Sequence, residues 1–340
     1  MIADELPEGR HGKPRAVGML GPHVVGSRVV VRRLLPGQAG PSGGPAMTDV
    51  LGTCESWEDG LATVRREDGS LVEIPVADIV SGKPVPPRPS VHRRLGAAQA
   101  DRLALPGWQP VEREPLGEWV LRASGGFSSR GNSVLALGSP GMPLEQAVNS
   151  VTQWYLARSL SPRAHVHPEG PEAESFAEAH WSVYDPTLLM LSSVSRLLRR
   201  LGPDQVAEPR HDGVLDEGWL ATDERASRFG DDARAVLEAG EVTFATVRDE
   251  EEAVLARGRG SFHGDWIGVS SLWTRGDVRG TGLGSAVLES LLAWGAERGA
   301  TTSYLQVVES NDHARRLYEA RGYEVHHRYD YLVADTDPQA

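Results

Sequence analysis

Cysteine is nearly missing from this chain of 340 residues: Cys54 stands alone. A single thiol closes no internal disulfide, which sets aside the disulfide-stapled secreted class and leads us to expect a reducing cytoplasm. Lysine is almost as scarce, with only Lys13 and Lys83, so that arginine carries nearly all the basic charge, a usage expected of a high-GC bacterial coding sequence. Long hydrophobic runs are absent as well. No stretch approaches the roughly eighteen apolar residues of a membrane span, and mean hydropathy is -0.33, so no membrane partner is expected. The first twenty residues are charged and rich in Pro and Gly, without the apolar core or small-residue cleavage site of a signal peptide. Net charge is -12, with no excess of positive charge to hold a polyanion. Nucleic acid is therefore not expected as a partner, and a cationic one is favoured.

What is present falls into segments. Residues 1–22 have no period and are expected as a disordered tail. Residues 23–82 hold four or five short alternating runs (VVGSRVVVRRLL, TDVLGTCESW, GLATVRRED, SLVEIPVADIV) separated by Gly-, Pro- or Asp-Gly-containing turns. So many short strands in so few residues predict a small all-β barrel. Residues 83–94 include KPVPPRPS, a stiff Pro-rich linker.

Strand and helix patterns then alternate through residues 95–200. They include EWVLRAS, RGNSVLALG, a helix after Pro143, PRAHVHP, a helix over AESFAEAHWSVY and the strand PTLLMLSSV. A connector with one helix occupies 201–239. Residues 240–335 repeat the alternation, with helices expected over 285–298 and 311–321, and 336–340 form a short tail. The shared order of strand, loop, helix, strand, helix, strand points to an internal duplication. The fold class is therefore α/β (α+β), with two tandem mixed sheets flanked by helices behind the barrel.

One loop carries the chemistry. In VRGTGLGSA, Gly280, Gly282 and Gly284 alternate just before a helix, where unpaired backbone N-H groups and the positive end of the dipole favour a phosphate. A nucleoside-triphosphate loop needs a lysine after the last glycine, and none is here. A dinucleotide fingerprint needs a third small residue in register and an acid about 20 residues on, at the end of the second strand, and both conditions fail.

The whole register, SLWTRGDVRGTGLGSAVLESLLAWG, together with NDHARRLYEARGY at residues 311–323, resembles the GNAT (GCN5-related) N-acetyltransferase superfamily. The loop is similar to that family's R-x-x-G-x-G through Arg279, Gly282 and Gly284, and the second stretch to its N-x-x-A-x-x-L-Y-x-x-x-G-[FY]. The resemblance covers residues 240–335. It implies acetyl-CoA as co-substrate, with no metal, and transfer of an acetyl group to a primary amine by direct attack in a ternary complex. It also implies a coenzyme site at Leu272, Trp273, Thr274, Arg279, Gly280, Thr281, Gly282, Leu283, Gly284, Ser285 and Asn311. Leu272 and Thr274 would pair with the pantetheine arm where two central strands splay, and a backbone N-H near Leu272 or Trp273 would face the thioester carbonyl.

Tyr318 is the implied catalytic acid, since a phenol of pKa about 10 can protonate a departing thiolate. Many relatives place a glutamate on the strand before the loop, but WIGVSSLWT has no carboxylate. Glu309 at the end of the next strand is then the candidate base, acting through water, with His263 and Asp265 as weaker candidates. A second possibility of another class is a non-catalytic acyl-CoA sensor or scaffold that uses the barrel to recruit a partner.

The barrel resembles the small Src-homology-like domains fused ahead of some bacterial GNAT enzymes, which implies a peptide or a neighbouring domain as its partner. The first α/β stretch resembles a degenerate GNAT half without the phosphate loop, GSPGMP standing where the second has RGTGLG. It is expected to pack against the second as a pseudo-dimer within a monomer and to wall the acceptor site, with RGNS (130–133) and WSVYDPT (181–187) as candidate contacts. HHRYDY (326–331) suggests no metal, because neighbours on a strand point to opposite faces and cannot share one ion. The acceptor is expected to be a small-molecule amine or a protein lysine or N-terminus.

Overall fold

A computed structural model of the chain describes residues 20–40, 43–66, 69–85, 94–201 and 206–335. The expected tails at 1–22 and 336–340 and the Pro-rich linker lie largely or wholly outside these residues. The chain divides into two units, Met1–Ser90 and Val91–Ala340.

In the first unit, β1 (Arg28–Ala39), β2 (Pro45–Glu58), β3 (Leu61–Arg65), β4 (Leu71–Pro75) and β5 (Ile79–Pro84) form one antiparallel sheet in the order β4-β3-β2-β1-β5. Alternation puts Val29, Val31, Val50, Cys54, Val64 and Ile74 on its buried face, where they make a single core. Trp57 packs against the margin of that core, and burial raises the pKa of the Cys54 thiol.

The second unit begins with α1 (Ala97–Ala104), β6 (Glu112–Leu116), β7 (Trp119–Ala123), β8 (Val134–Leu135), α2 (Leu144–Leu156) and β9 (Arg163–Val166). Then come α3 (Pro171–Glu178), β10 (Trp181–Val183), β11 (Thr187–Ser193) and α4 (Val194–Leu201). The helix expected over AESFAEAHWSVY stops early: His180 takes a left-handed φ of 62°, and the chain turns into β10. The connector supplies β12 (Arg210–Asp212), α5 (Glu217–Ala221) and α6 (Glu224–Leu237), the last kinked at Gly230. The remainder is β13 (Glu241–Arg248), β14 (Val254–His263), β15 (Trp266–Thr274), α7 (Leu283–Glu297), β16 (Thr302–Val308), α8 (Asp312–Arg321) and β17 (Glu324–Ala334).

The strands of 95–200 and of 240–335 are interleaved in one sheet, in the order β12-β13-β14-β15-β16-β11-β17-β9-β8-β7-β6, with β10 also on β17. β11 from the earlier stretch enters between β16 and β17, and β17 in turn pairs with β9. Each stretch thus completes the sheet of the other. β11 shows why it can be central: Leu188 and Met190 face one core with α7, while Leu189 and Leu191 face another with α1. A strand buried on both faces needs such an apolar run.

This exchange positions the site. Along one edge β16 is paired with β11 from Thr302 to Val308. Along the other it pairs in parallel with β15 at only three positions, Trp266↔Thr302, Ile267↔Ser303 and Gly268↔Tyr304.

Candidate active site

Past Gly268 and Tyr304 the two parallel strands part. The parting coincides with a bulge in β15: Ser271 has φ 54°, and the pairing with β14 shifts register between Arg257 and Arg259. A bulge bends its strand and strengthens the local twist, which re-aims the residues beyond it. Buried Arg257 holds the bulge by donating to the Ser271 carbonyl at 2.6 Å, and it donates also to Thr222 Oγ1 at 2.6 Å and Asp223 Oδ2 at 3.1 Å. Desolvation lowers its pKa to about 10, against the pull of Asp223.

Beyond β15 the chain makes the glycine loop. Arg279 Nε donates to the Thr274 carbonyl at 3.2 Å, folding the loop back on the strand end, and Thr281 Oγ1 donates to the Val278 carbonyl at 2.7 Å. Gly280 (φ 80°) and Gly282 (φ 93°, the residue before α7) adopt left-handed backbone, which a Cβ disfavours. A Cβ on Gly284 would lie 2.9 Å from Thr274 Oγ1. Ser285 and Ala286 donate their N-H groups to the Gly282 carbonyl, whereas those of residues 280–284 have no acceptor among the described residues. The loop is a nest of backbone donors at the start of a helix.

The NDHARRLYEARGY stretch supplies the facing wall. Asn311 caps α8, its Oδ1 accepting from Ala314 N at 3.1 Å, and Gly322 (φ 105°) ends the helix. Tyr318 is half-buried, its ring 5.9 Å edge-on from Tyr323. Burial raises the pKa of its hydroxyl and Arg321 acts against that rise. The hydroxyl makes no hydrogen bond among the described residues. Burial lowers the pKa of Arg321, which donates to Ser285 Oγ across the cleft.

Together these elements enclose an open cleft of about 750 Å³. Leu272, Trp273, Thr274, Arg279, Gly280, Gly282, Leu283, Gly284, Ser285, Asn311 and Tyr318 line it, and so do Val278, Leu288, His313, Ala314, Leu317 and Arg321. Thr281 lies in the loop but not on the lining. Arg321 was missed from the sequence, although its position three residues after Tyr318, one helical turn on, puts it beside that residue.

Glu309 is not on the lining either. It sits at the end of β16, its N-H on the Pro186 carbonyl at 2.8 Å and its carboxylate 3.5 Å from Arg328. His263 and Asp265 are engaged in the turn between β14 and β15: His263 Nε2 lies 3.0 Å from the Leu103 carbonyl, and Asp265 Oδ2 accepts from Thr301 Oγ1 at 2.6 Å.

Of the candidate acceptor contacts, Asn132 is buried and pins its own loop, Oδ1 accepting from Ser124 N and Gly126 N. Trp181 is buried in the core of the first half. In HHRYDY the premise of opposite faces fails. The β11–β17 register slips between Leu189↔His327 and Met190↔Val325, so the strand is bulged at His326, and the Nδ1 atoms of His326 and His327 lie 2.7 Å apart.

Comparison with known proteins fits this geometry. Residues 91–332 match the family described as "Probable histone acetyltransferase Rv0428c C-terminal", and residues 23–83 match "Rv0428c N-terminal Sm-like domain". The chain is 28% identical over 325 residues to the probable histone acetyltransferase Rv0428c of Mycobacterium tuberculosis, covering 92% of this chain and 96% of that one. It is 23% identical over 241 residues to the uncharacterized N-acetyltransferase YobR of Bacillus subtilis, covering 68% of this chain and 96% of that one. A GCN5-related N-acetyltransferase from Kribbella flavida shares the fold with a TM-score of 0.52 at 17% identity, over 73% of this chain and 96% of that one.

Proposed function

The chain belongs to the GNAT N-acetyltransferases, in the family of the Rv0428c C-terminal domain, and from that premise we propose that it transfers an acetyl group from acetyl-CoA to a primary amine by direct attack within a ternary complex. The observation that carries this reading is the continuity of one cleft, which runs from the unpaired N-H groups of 280–284 along the parted edge of β15 to the free hydroxyl of Tyr318. The residues fit the coenzyme. The glycine nest, where a Cβ on Gly284 would crowd Thr274, suits a pyrophosphate, and the unpaired edge of β15 suits a pantetheine amide.

Acetyl-CoA supplies an activated acyl thioester, so no covalent protein nucleophile is needed, and Cys54 stays buried in the barrel core. Arg279 and the N-H groups of the loop bind the phosphates, with Asn311 at the pantetheine arm. Leu272 to Thr274 orient the arm, and a backbone N-H at Leu272 or Trp273 stabilises charge on the carbonyl oxygen. As the N-C bond forms and the C-S bond breaks, Tyr318 gives its hydroxyl proton to the departing sulfur. Burial raises its pKa above the ordinary phenol value, so the hydroxyl carries its proton at neutral pH. No carboxylate is among the described lining residues. The proton of the amine therefore leaves through water, with Glu309 as the carboxylate that receives it. An acidic chain, net charge -12, favours cationic amines, whether small molecules or protein lysines.

The test is steady-state release of coenzyme thiol from acetyl-CoA across a panel of amines and lysine peptides. Turnover with at least one amine, falling in Tyr318→Phe with coenzyme affinity kept, is the expected result. Tight coenzyme binding without turnover on any amine would instead make the chain an acyl-CoA sensor or scaffold.

A further inference from the structure

Away from the cleft, three imidazoles converge on one buried carboxylate. Asp101 comes from α1, His165 from β9, His167 from just beyond it and His327 from β17. Their Nε2 atoms lie 3.3, 2.7 and 3.1 Å from Asp101 Oδ2, and the side-chain exposures are 1% for Asp101, 3% for His165, 21% for His167 and 10% for His327. Neither Arg nor Lys pairs with Asp101 among the described residues; these histidines are its side-chain neighbours.

Hydrogen bonding alone accounts poorly for this arrangement. A carboxylate has two oxygens and about four acceptor positions, yet all three nitrogens crowd Oδ2 while Oδ1 is buried with no partner. His165 is close to Oδ2 but misaligned, and both of its ring nitrogens are buried and unpartnered. Buried polar atoms left bare in this way are costly. Ligands around a shared ion converge on a point rather than along N-H directions. In a tetrahedron with bonds of about 2.0 Å, neighbouring ligand atoms stand about 3.3 Å apart. The three N···O separations are near or below that value, and the ligand atoms of Asp101, His165 and His167 all lie within 4.8 Å of one another, with His327 the fourth to close on an ion.

Behind the cluster, His326 Nδ1 lies 2.7 Å from His327 Nδ1. A ligand histidine ordinarily donates its second ring N-H to a fixed acceptor, which is the position His326 occupies behind His327.

We propose that Asp101, His165, His167 and His327 hold a divalent ion of the zinc type that staples α1 and β9 to β17. The ligand set of three imidazoles and one carboxylate suits Zn²⁺, and the partial exposure of His167 provides the entry. The site bridges the seam where β17 leaves its own half to pair with β9, so its first effect is on how the interleaved sheet is held together.

The test uses the untagged full-length chain, stripped with chelator and reloaded with Zn²⁺ alone. The expected result is one Zn²⁺ per chain by elemental analysis, a melting temperature that falls on stripping and returns on reloading, and a four-coordinate ligand-field spectrum when Co²⁺ replaces Zn²⁺. His167→Ala removes a partly exposed ligand and should lose the ion and the response of melting to Zn²⁺. His326→Ala should weaken Zn²⁺ binding by about 10–100-fold, as for other partners behind a ligand histidine. Failure of the wild-type chain to bind Zn²⁺ with any change in melting would overturn the proposal, leaving a histidine–aspartate hydrogen-bond network. Equal retention of Zn²⁺ by His167→Ala and His327→Ala would overturn it too. Should a variant not fold, stripping and reloading the wild type decides the matter by itself.

Discussion

Two loops of the second unit stand at corresponding places, each leading from a strand into a helix: residues 138–143 before α2 and residues 279–284 before α7. The first is closed on itself. Glu118 accepts from Ser139 N at 2.7 Å, the Ser139 carbonyl accepts from Glu118 N at 2.7 Å, and the Gly138 carbonyl accepts from Trp119 Nε1 at 2.9 Å. Pro140 and Pro143 have no N-H to offer. In the second loop the N-H groups of 280–284, at the head of α7, have no acceptor among the described residues.

The facing helices differ in the same sense. α3 and α8 share the pattern A-x-x-[FL]-x-E-A, at 173–179 and 314–320, but Ala177 stands where α8 has Tyr318. The two loops thus differ in their acceptors: an internal carboxylate takes an N-H of the first, whereas the N-H groups of 280–284 have no acceptor among the described residues. A loop able to take an anion needs free donors, and so the absence of competing acceptors, as much as it needs glycine.

The largest expected effect separates the two helices. Tyr318→Phe should lower kcat by about 10²–10⁴-fold, the usual worth of a positioned acid, with little change in coenzyme affinity. Ala177→Tyr should give no second activity, and steady-state kinetics on both variants checks the pair. Next come the loops. Gly282→Ala places a Cβ at φ 93°, 3.0 Å from Val206 Cγ2. Left-handed backbone costs a residue with a Cβ about 1–2 kcal/mol, so coenzyme binding by calorimetry should weaken about 5–30-fold. Gly141→Ala carries similar strain in the first loop, at φ 76°, and should cost stability while leaving coenzyme affinity as it was.

A smaller effect concerns pH. Because burial raises the pKa of Tyr318, its proton is available below that value and is lost as pH rises through it. The alkaline limb of kcat should therefore lie above the ordinary phenol value of about 10 and vanish in Tyr318→Phe; a limb set by this residue at lower pH would contradict the assignment. The smallest effect is expected of Glu118→Gln. Losing one charged acceptor at an exposed loop should cost about 0.5–1.5 kcal/mol in denaturant unfolding, without creating a second coenzyme site.

Local sequence made much of the second half legible. The alternating glycines before an apolar-periodic run lead to α7 and its nest, and N-x-x-A-x-x-L-Y leads to a helix capped by Asn311 with Tyr318 on the cleft wall. These features depend on backbone preferences within a few residues. The exchange of β11 and β17 was not legible, because an apolar run such as TLLMLSS says that a strand is buried but not which neighbours bury it. The histidine cluster escaped for a similar reason. A bulge at His326 breaks the period-2 rule, and Asp101 arrives from a helix more than sixty residues upstream of His165. A signal did exist in HVH, since His165 and His167 two apart share one face of an extended segment.

The central claim is that the open N-H groups of 280–284 hold the coenzyme and that their counterparts in the first loop do not. Amide hydrogen exchange on the full chain, with and without coenzyme A, tests this directly. The account predicts strong added protection across 280–286 and none across 138–143. Equal protection of both loops, or protection confined to the first, would contradict it.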